Sequence, residues 1–359
     1  MQTQSKFRLL VVRLGAMGDI LHALPAVTAL RMAHPGWGIE WVVEPTWRAL
    51  LAAEGSTGRD TGKHQAMQPL VDRLHFAASK QWRKNPLAPS TRIEISALRR
   101  NLKSQHYDAV LDLQGALRSA VISRMAAGRR FIGESSPRER LARWLFTERI
   151  ETRTPHVIEQ DIELASAIAG DDLIPVQPWL PVDPGAETWA DELLSSDAAS
   201  HVVLINPGAG WGAKRWPVER YADVARALLN RGYRVLVNAG PGEVFLADTI
   251  SQKTGGGATP LLCSIEQLIA ITRRVSLAIA GDTGPLHLAC ALGRPVVGIY
   301  GPTDPSRNGP YGTQFKVLRS PESRRDHTRH EAPEAGLLTI TPEDVLQAAD
   351  ELLYSEAAR

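Results

Sequence analysis

The sequence predicts an α/β protein with two open, mainly parallel sheets in tandem. Strand-length apolar runs alternate with helix-length segments, and the alternation restarts after a proline-spaced stretch. The chain of 359 residues also suits two domains of roughly 150 residues each. We therefore expect domains at 1–175 and 186–340, joined by a linker at 176–185 and followed by a C-terminal helix at 341–359.

Each predicted element follows from a local pattern. In the first half, apolar runs predict strands, and amphipathic segments predict helices such as 23–33 and 119–127. The predicted strands of this half are 9–12, 39–43, 71–76 and 109–113. Prolines at regular spacing around Trp179 predict an extended linker.

The second half repeats the pattern. Its predicted strands are 201–205, 234–237, 276–280 and 295–300, each followed by a turn and, except after the last, by a helical segment. Residues 319–336 are charged and lack an apolar period, so we expect a mobile loop. Thr341 as N-cap and Pro342 at the first helical position predict a final helix to about Leu353, packing back on the N-terminal domain.

Composition narrows the function class. Apolar residues make up 43% and charged residues 22% of the chain, as in ordinary globular proteins. Residues 73–153 hold 17 basic against 7 acidic side chains, which indicates an anionic partner, although solvated helix faces would explain the excess equally well. No apolar run could span a bilayer and the N-terminus is polar, so we expect a soluble, cytoplasmic protein. Cys263 and Cys290 lack metal-ligand spacing and are expected to be reduced core residues.

Two strand-to-helix turns carry candidate chemistry. After the strand 277–280, Gly281-Asp282-Thr283-Gly284 leads into a helix with His287 in its first turn, where backbone N–H groups favour an anion such as a phosphate. An ordinary tight turn would use the same residues. In the turn after the first strand, Asp19 is either a helix N-cap worth about 1 kcal/mol or a proton acceptor for a substrate hydroxyl. His22, about one helical turn later, is an alternative base, or it orients Asp19 or packs.

A glycine-rich loop follows the strand 201–205. Its residues 208–213 nominally fit a dinucleotide fingerprint, which would indicate a dehydrogenase, but the helix opens only near Pro217 and no acid ends the next strand. Lys214 in this loop is either a phosphate-binding cation or an ordinary surface lysine. Glu243, after the next strand, is either a first-turn acid or a hydrogen-bond acceptor for a ribose.

Four sequence blocks resemble the bacterial ADP-heptose:lipopolysaccharide heptosyltransferases, glycosyltransferase family 9. They are Met17-Gly18-Asp19-Ile20-Leu21-His22-Ala23-Leu24-Pro25-Ala26, Asp112-Leu113-Gln114-Gly115-Ala116-Leu117-Arg118-Ser119-Ala120, Lys214-Arg215-Trp216-Pro217 and Asp282-Thr283-Gly284-Pro285-Leu286-His287. The N-terminal half is nearer the heptosyltransferase I branch, whereas the loop 207–210 resembles the heptosyltransferase II branch.

The resemblance implies an inverting, metal-independent enzyme of the two-domain GT-B fold, with a cleft between two Rossmann-like domains. It implies that Asp19 is the general base, that Lys214 contacts the donor diphosphate and sugar, and that Glu243 binds the adenosine ribose. Thr283 and Gly284 would hold the diphosphate through their backbone, and Asp282 and His287 would contact the heptose. Further donor contacts are expected from Gly208 and Ala209.

The first domain would take the acceptor, a lipid A carrying the acidic sugar Kdo. The expected acceptor residues are Arg13, Gly18, His22, Arg118, Arg138, Arg140 and Arg143. With residues 80–84, this basic region is also a candidate for contact with the cytoplasmic face of the inner membrane. The resemblance implies no cofactor other than the donor substrate ADP-heptose, no metal and no nucleic acid.

Other functions remain open on the sequence. The chain could be heptosyltransferase II-like or take another acceptor within family 9. A nucleotide-sugar epimerase of the same fold would share the phosphate turn. A non-catalytic sugar-binding protein would normally carry an export signal, and none is visible.

Overall fold

The computed structural model describes residues 6–53, 69–195, 201–326, 328 and 330–357. The chain divides into two compact units, Met1–Pro181 and Val182–Arg359, so the boundary lies within residues 176–185. Each unit contains one six-stranded sheet in which every described strand pair is parallel.

The first unit alternates strands and helices around its sheet. Its strands are β1 (Arg8–Val12), β2 (Gly38–Val43), β3 (Arg73–Phe76), β4 (Tyr107–Asp112), β5 (Gly128–Glu134) and β6 (Glu148–Ile150). Its helices are α1 (Met17–Ala33), α2 (Ser79–Lys84), α3 (Pro89–Lys103), α4 (Leu117–Ser123) and α5 (Val157–Ala169), with 3-10 helices at Pro45–Leu50 and Arg140–Leu145. The strand order is β3-β2-β1-β4-β5-β6.

The second unit repeats this arrangement. Its strands are β7 (Val202–Asn206), β8 (Arg234–Asn238), β9 (Thr259–Leu261), β10 (Leu277–Gly281), β11 (Val296–Tyr300) and β12 (Phe315–Arg319). Its helices are α6 (Pro184–Leu194), α7 (Val218–Asn230), α8 (Val244–Lys253), α9 (Ile265–Thr272), α10 (Gly284–Ala291), α11 (Pro305–Asn308) and α12 (Pro342–Ala357), with 3-10 helices at Gly212–Lys214 and Gly336–Thr339. The order β12-β11-β10-β7-β8-β9 is that of the first sheet when each unit is numbered from its own first strand.

The predicted α/β class with two Rossmann-like sheets is confirmed, and all eight predicted strands are present with bounds that differ by at most two residues. Four strands were missed, β5, β6, β9 and β12. Two of them have only three residues, β5 carries two arginines after its first residue, and β12 is only half-buried. Such strands lack the continuous apolar run that marks the centre of a parallel sheet.

The C-terminal helix is part of the core of the second unit. α12 packs on α7 and on β10, β11 and β12, and its expected packing on the N-terminal domain stays a prediction. Val345 and Ala349 are fully buried in the core of the second unit. The amphipathic pattern of the helix predicts that one face is buried, but it cannot say which sheet covers that face.

A buried polar cluster lies inside the first sheet. One carboxylate oxygen of Glu40 lies 2.7 Å from Nε2 of His75 and accepts a 2.7 Å hydrogen bond from the Tyr107 hydroxyl. The other oxygen accepts a 2.7 Å hydrogen bond from Arg8. Burial would raise the pKa of Glu40, but the hydrogen bonds with His75, Tyr107 and Arg8 outweigh it and lower the pKa to about 2.

Candidate active site

In both units the residues that carry chemistry follow the two strands at the centre of the sheet. The turn that contains Asp19 follows β1 and the turn after Asp112 follows β4, and these strands are neighbours in the first sheet. In the second sheet, the loop after Asn206 follows β7 and the turn at Asp282 follows β10, again on neighbouring strands. The strand order reverses at this point of each sheet, where parallel α/β sheets bind ligands.

Asp19 is the third residue of α1, because the helix begins at Met17. The N-cap interpretation of Asp19 is therefore wrong, since Ala16 occupies that position. One carboxylate oxygen accepts a 2.8 Å hydrogen bond from the Ala16 N–H, and the other lies 3.1 Å from the guanidinium of Arg13. The side chain is 39% exposed, which leaves acceptor positions on both oxygens open.

Arg13 is buried, and its contacts explain how Asp19 is held. The guanidinium donates to the backbone carbonyl of Leu113 as well as pairing with Asp19. Beside it, the Leu14 N–H donates to the side-chain carbonyl of Gln114 over 2.8 Å. The turn after β4 therefore holds the turn after β1, and with it the carboxylate of Asp19.

Asp112 shapes that supporting turn. Its carboxylate accepts hydrogen bonds of 2.9 Å from the N–H groups of Gln114 and Gly115 and one of 3.1 Å from the Ser119 hydroxyl. Burial raises the pKa of Asp112, and these donors and Arg13 act against it. We infer that residues 112–120, the second of the four sequence blocks, serve to position Asp19. Sequence reasoning did not assign this role to Asp112 or Gln114, although the spacing of an acid and a following serine is a turn signal.

The other expected acceptor residues differ in their burial and in their contacts. His22 is buried in α1, and its ring lies edge-on to that of His156 with 6.2 Å between the centroids. Arg118, Arg138 and Arg140 are exposed and Arg143 is half-buried. Within the residues that the structure describes, none of these four arginines has a carboxylate within 4.0 Å. Gly18 lies in the first turn of α1.

Lys214 is the central cation of the second unit. It ends the short 3-10 helix Gly212–Lys214, and its ammonium forms an ion pair with the Asp282 carboxylate. Only 11% of the lysine side chain and 7% of the aspartate side chain are exposed, so the surface-lysine interpretation is wrong. The same ammonium lies 3.3 Å from the Asp282 carbonyl and 4.4 Å from the centre of the Trp211 ring. Because an ammonium has three donors, one remains for a ligand.

Asp282 stays ionised in this setting. Burial would raise its pKa, but the hydrogen bond with His287 and the charge of Lys214 outweigh burial and hold the pKa well below its usual range. Nε2 of His287 lies 3.1 Å from the carboxylate oxygen that does not face Lys214. The three side chains therefore form one cluster of fixed geometry.

The first turn of α10 lies beside this cluster. Thr283 is the N-cap residue, but its hydroxyl donates to the Gly281 carbonyl over 3.2 Å and does not cap the helix. The N–H groups of the first helical turn have no intrahelical acceptor, and Pro285 contributes none. Gly284 and its neighbours therefore present donors and the positive end of the helix to an anion.

Glu243 lies in the turn after β8, and its side chain contacts the loop after β7. It is the residue before α8 and its side chain does not cap that helix. Its carboxylate accepts a 3.2 Å hydrogen bond from the Ala209 N–H and lies 3.5 Å from the Arg215 guanidinium. A Cβ at Gly208 would lie 2.1 Å from a carboxylate oxygen of Glu243. Gly208 is therefore required for this approach, which favours the acceptor interpretation of Glu243 over that of a first-turn acid.

The sequence predicted that the charged residues 319–336 form a mobile loop. In the structure this segment contacts the loop that carries Lys214. The Ala213 N–H donates to the His330 carbonyl over 3.0 Å, and the Glu334 N–H donates to the Ala213 carbonyl over 3.2 Å. A Cβ at Gly212 would lie 1.7 Å from the Glu331 carbonyl oxygen. In the loop after β7, Gly208 and Gly212 are therefore required for close packing against Glu243 and Glu331.

Among the described residues, no group of three or more His, Cys, Asp or Glu side chains could hold a metal ion. None of the helices in the described parts of the chain has the length and apolar character needed to cross a membrane.

Comparison with known proteins places the chain in a family. The model of glycosyltransferase family 9 (heptosyltransferase) matches residues 95–337. The chain belongs to glycosyltransferase family 9. It is therefore a glycosyltransferase, as predicted.

Individual family 9 members align over most of the chain. Lipopolysaccharide heptosyltransferase 1 of Escherichia coli strain K12 is 29% identical over 327 residues, which cover 88% of this chain and 94% of that protein. The structure of E. coli heptosyltransferase WaaC with ADP has a TM-score of 0.77 and 28% identity, covering 96% of this chain and 100% of that one. WaaC with ADP-2-deoxy-2-fluoro heptose has a TM-score of 0.75 at the same identity, with coverages of 96% and 99%. The expected likeness to heptosyltransferase I is confirmed.

Proposed function

We propose that this family 9 glycosyltransferase transfers heptose from ADP-heptose to an acceptor of the Kdo-lipid A type, in the synthesis of the lipopolysaccharide inner core. The observation that carries the proposal is the buried Lys214–Asp282–His287 cluster beside the first turn of α10. A largely buried cation next to backbone donors that lack an intrahelical acceptor suits a diphosphate. The names of the relatives support heptose as the sugar.

The second unit would bind the donor. Lys214 and the backbone at Thr283 and Gly284 would hold the diphosphate, with Gly208 and Ala209 lining the site. Glu243 would accept hydrogen bonds from the adenosine ribose. Asp282 and His287 would contact the heptose, and Asp282 would also keep Lys214 in place.

The first unit would provide the general base. As the acceptor hydroxyl attacks the anomeric carbon, Asp19 takes its proton and ADP leaves from the opposite face, so the configuration inverts. Negative charge that develops on the leaving diphosphate is met by Lys214 and the α10 backbone donors, which are already oriented before reaction. No covalent intermediate is required.

The acceptor would be recognised through its negative charge. Arg118, Arg138, Arg140 and Arg143 present guanidinium groups that match carboxylate and phosphate geometry. Arg13, Gly18 and His22 surround Asp19 in sequence, and we propose that they shape the acceptor side of the site. We place the reaction in the cytoplasm, with the protein in peripheral contact with the inner membrane.

The test is heptosyl transfer in a defined mixture. The purified chain is incubated with ADP-heptose and Kdo-lipid A without added metal, and ADP release and the mass of the product lipid are measured. Asp19→Asn should abolish transfer and leave ADP affinity unchanged, whereas Asp171→Asn, an exposed aspartate of the same unit, should retain transfer. Full activity of the Asp19→Asn variant would refute the assignment of the base.

The alternative functions are distinguished when the same assay is repeated with a heptosylated Kdo-lipid A and without acceptor. Transfer only to an acceptor that already carries heptose would indicate a heptosyltransferase II-like enzyme. Conversion of the nucleotide sugar without acceptor would indicate an epimerase. Binding of ADP-heptose with no turnover on any acceptor would indicate a sugar-binding protein.

A further inference from the structure

One surface of the first unit exposes large apolar side chains. On the 3-10 helix Arg140–Leu145, Leu141 is 65% exposed and Trp144 is 68% exposed. On the adjoining helix α4, Val121 is 45% exposed. Large apolar groups gathered on two packed elements are a stronger sign of a docking surface than single exposed residues.

The local packing explains why these side chains point outward. Beneath them, the small side chains of Ala120 and Ala142 are fully buried against Phe146. The two elements therefore meet through alanines and present leucine, valine and tryptophan to solvent. The larger apolar residues Val121, Leu141 and Trp144 are therefore exposed and not part of the core.

Arginines surround the exposed tryptophan. The guanidinium groups of Arg143 and Arg149 lie 5.4 Å and 5.3 Å from the centre of the Trp144 ring. Neither they nor the exposed Arg140 forms an ion pair with a described acidic residue, and the nearby Glu139 carboxylate accepts from the Leu117 N–H instead. We call Val121, Leu141 and Trp144 with Arg140, Arg143 and Arg149 the tryptophan–arginine patch.

We infer that the tryptophan–arginine patch docks the protein on a bilayer surface that contains anionic amphiphiles. Tryptophan and leucine side chains partition into the interface, while the arginines pair with phosphate and carboxylate groups at the same depth. The inference rests on the proposed function in one respect, since an acceptor with a lipid part resides in such a surface. An anionic bilayer is the binding partner that complements the patch, because the patch combines cations that form no ion pair with side chains that prefer hydrocarbon.

The tryptophan of a second basic stretch does not add to this surface. In residues 80–84, which we had grouped with the membrane-facing region, Trp82 is buried and donates a 2.7 Å hydrogen bond to Glu94. Its ring is therefore part of the core around α3 and is not available to a membrane. The patch is confined to the neighbourhood of α4 and the 3-10 helix Arg140–Leu145.

The test is co-sedimentation of the full chain with vesicles of phosphatidylcholine, with and without phosphatidylglycerol. We expect binding only to the anionic vesicles and weakening of that binding by salt. Trp144→Ala should weaken it about tenfold or more through the lost apolar contact, and Ile174→Ala, equally exposed elsewhere in the unit, should not. Arg140→Gln should weaken it about fivefold, the effect of one charge near an anionic surface, and Arg92→Gln should have a smaller effect.

Activity measurements separate this inference from the proposed function. Trp144→Ala should transfer heptose normally to detergent-dispersed acceptor but more slowly to acceptor embedded in vesicles. Transfer by a protein that ignores anionic vesicles would overturn the docking surface and leave the proposed function standing. Vesicle binding without heptose transfer would support the docking surface and overturn the proposed function. Self-association that is lost in Trp144→Ala, or nucleic-acid binding at the patch without vesicle binding, would also overturn the inference.

Discussion

Replacing Asp282 by asparagine should destabilise the second unit. The substitution keeps the volume of the side chain but leaves the ammonium of Lys214 in a site where only 11% of its side chain is exposed. Removing one partner of a buried ion pair costs about 3–5 kcal/mol. For a domain of about 150–250 residues each kcal/mol lowers the midpoint by about 2–4 °C, so we expect a decrease of about 6–20 °C in the melting transition of this unit.

Calorimetry at neutral pH measures this decrease, and Asp223→Asn provides the matched control. Asp223 pairs with Arg226 over 2.9 Å on the exposed face of α7, with side chains 51% and 48% exposed, so its loss should change stability by no more than about 0.5 kcal/mol. Lys214→Met combined with Asp282→Asn should recover part of the loss, because the buried charge is then gone. If the two asparagine variants melt alike, the buried pair does not stabilise this unit.

The same pair predicts a pH dependence with a definite sign. The pKa of Asp282 lies below its unfolded value of 3.8 in the folded chain. Its ionised form therefore stabilises the protein fully above that value, and the contribution is lost as the pH falls further, through the folded pKa. The difference between the wild type and Asp282→Asn should accordingly narrow only below about pH 4.

Three further predictions concern residues with defined contacts. Arg13→Met should lower kcat about 100-fold at nearly unchanged donor KM, because Asp19 loses its orientation, and Arg13→Lys should restore part of the rate. Gly208→Ala should raise donor KM several-fold, and Glu243→Gln should do the same, because the new Cβ displaces that carboxylate. Isothermal titration with ADP would show an unchanged affinity if the reasoning is wrong. Glu40 has a folded pKa of about 2 against 4.5 unfolded, so its stabilisation is complete above 4.5 and is lost toward pH 2. Acid unfolding of Glu40→Gln followed by circular dichroism should therefore lack this pH dependence.

Much of the fold could be predicted because its central strands are continuous apolar runs followed by glycine turns. That pattern located β1, β4, β7 and β10, and with them the turns of Asp19 and Asp282. The edge strands and the packing of α12 could not be predicted in the same way. Their residues are charged or half-exposed, and their partners are distant in sequence.

Sequence reasoning named Lys214 and Asp282 as candidate site residues, but it did not find the contacts that hold the candidate residues in place. Lys214 and Asp282 are 68 positions apart, and only the neighbouring positions of β7 and β10 bring them together. Likewise, the hydrogen bonds from Arg13 and Leu14 to the turn after β4 join positions that are 100 residues apart. Local spacing identifies the turns, but it cannot show which of them are neighbours.

The place of α12 in the second core has a consequence for synthesis on the ribosome. Leu352 and Leu353 are buried against elements that begin with β7, so this core cannot close until translation has passed α12. At about 5–20 residues per second, synthesis of the roughly 150 residues from β7 to Leu353 takes about 8–30 s, during which apolar surface of the nascent second unit stays uncovered. Truncation of the last helix should therefore affect the yield of folded protein more than its length suggests.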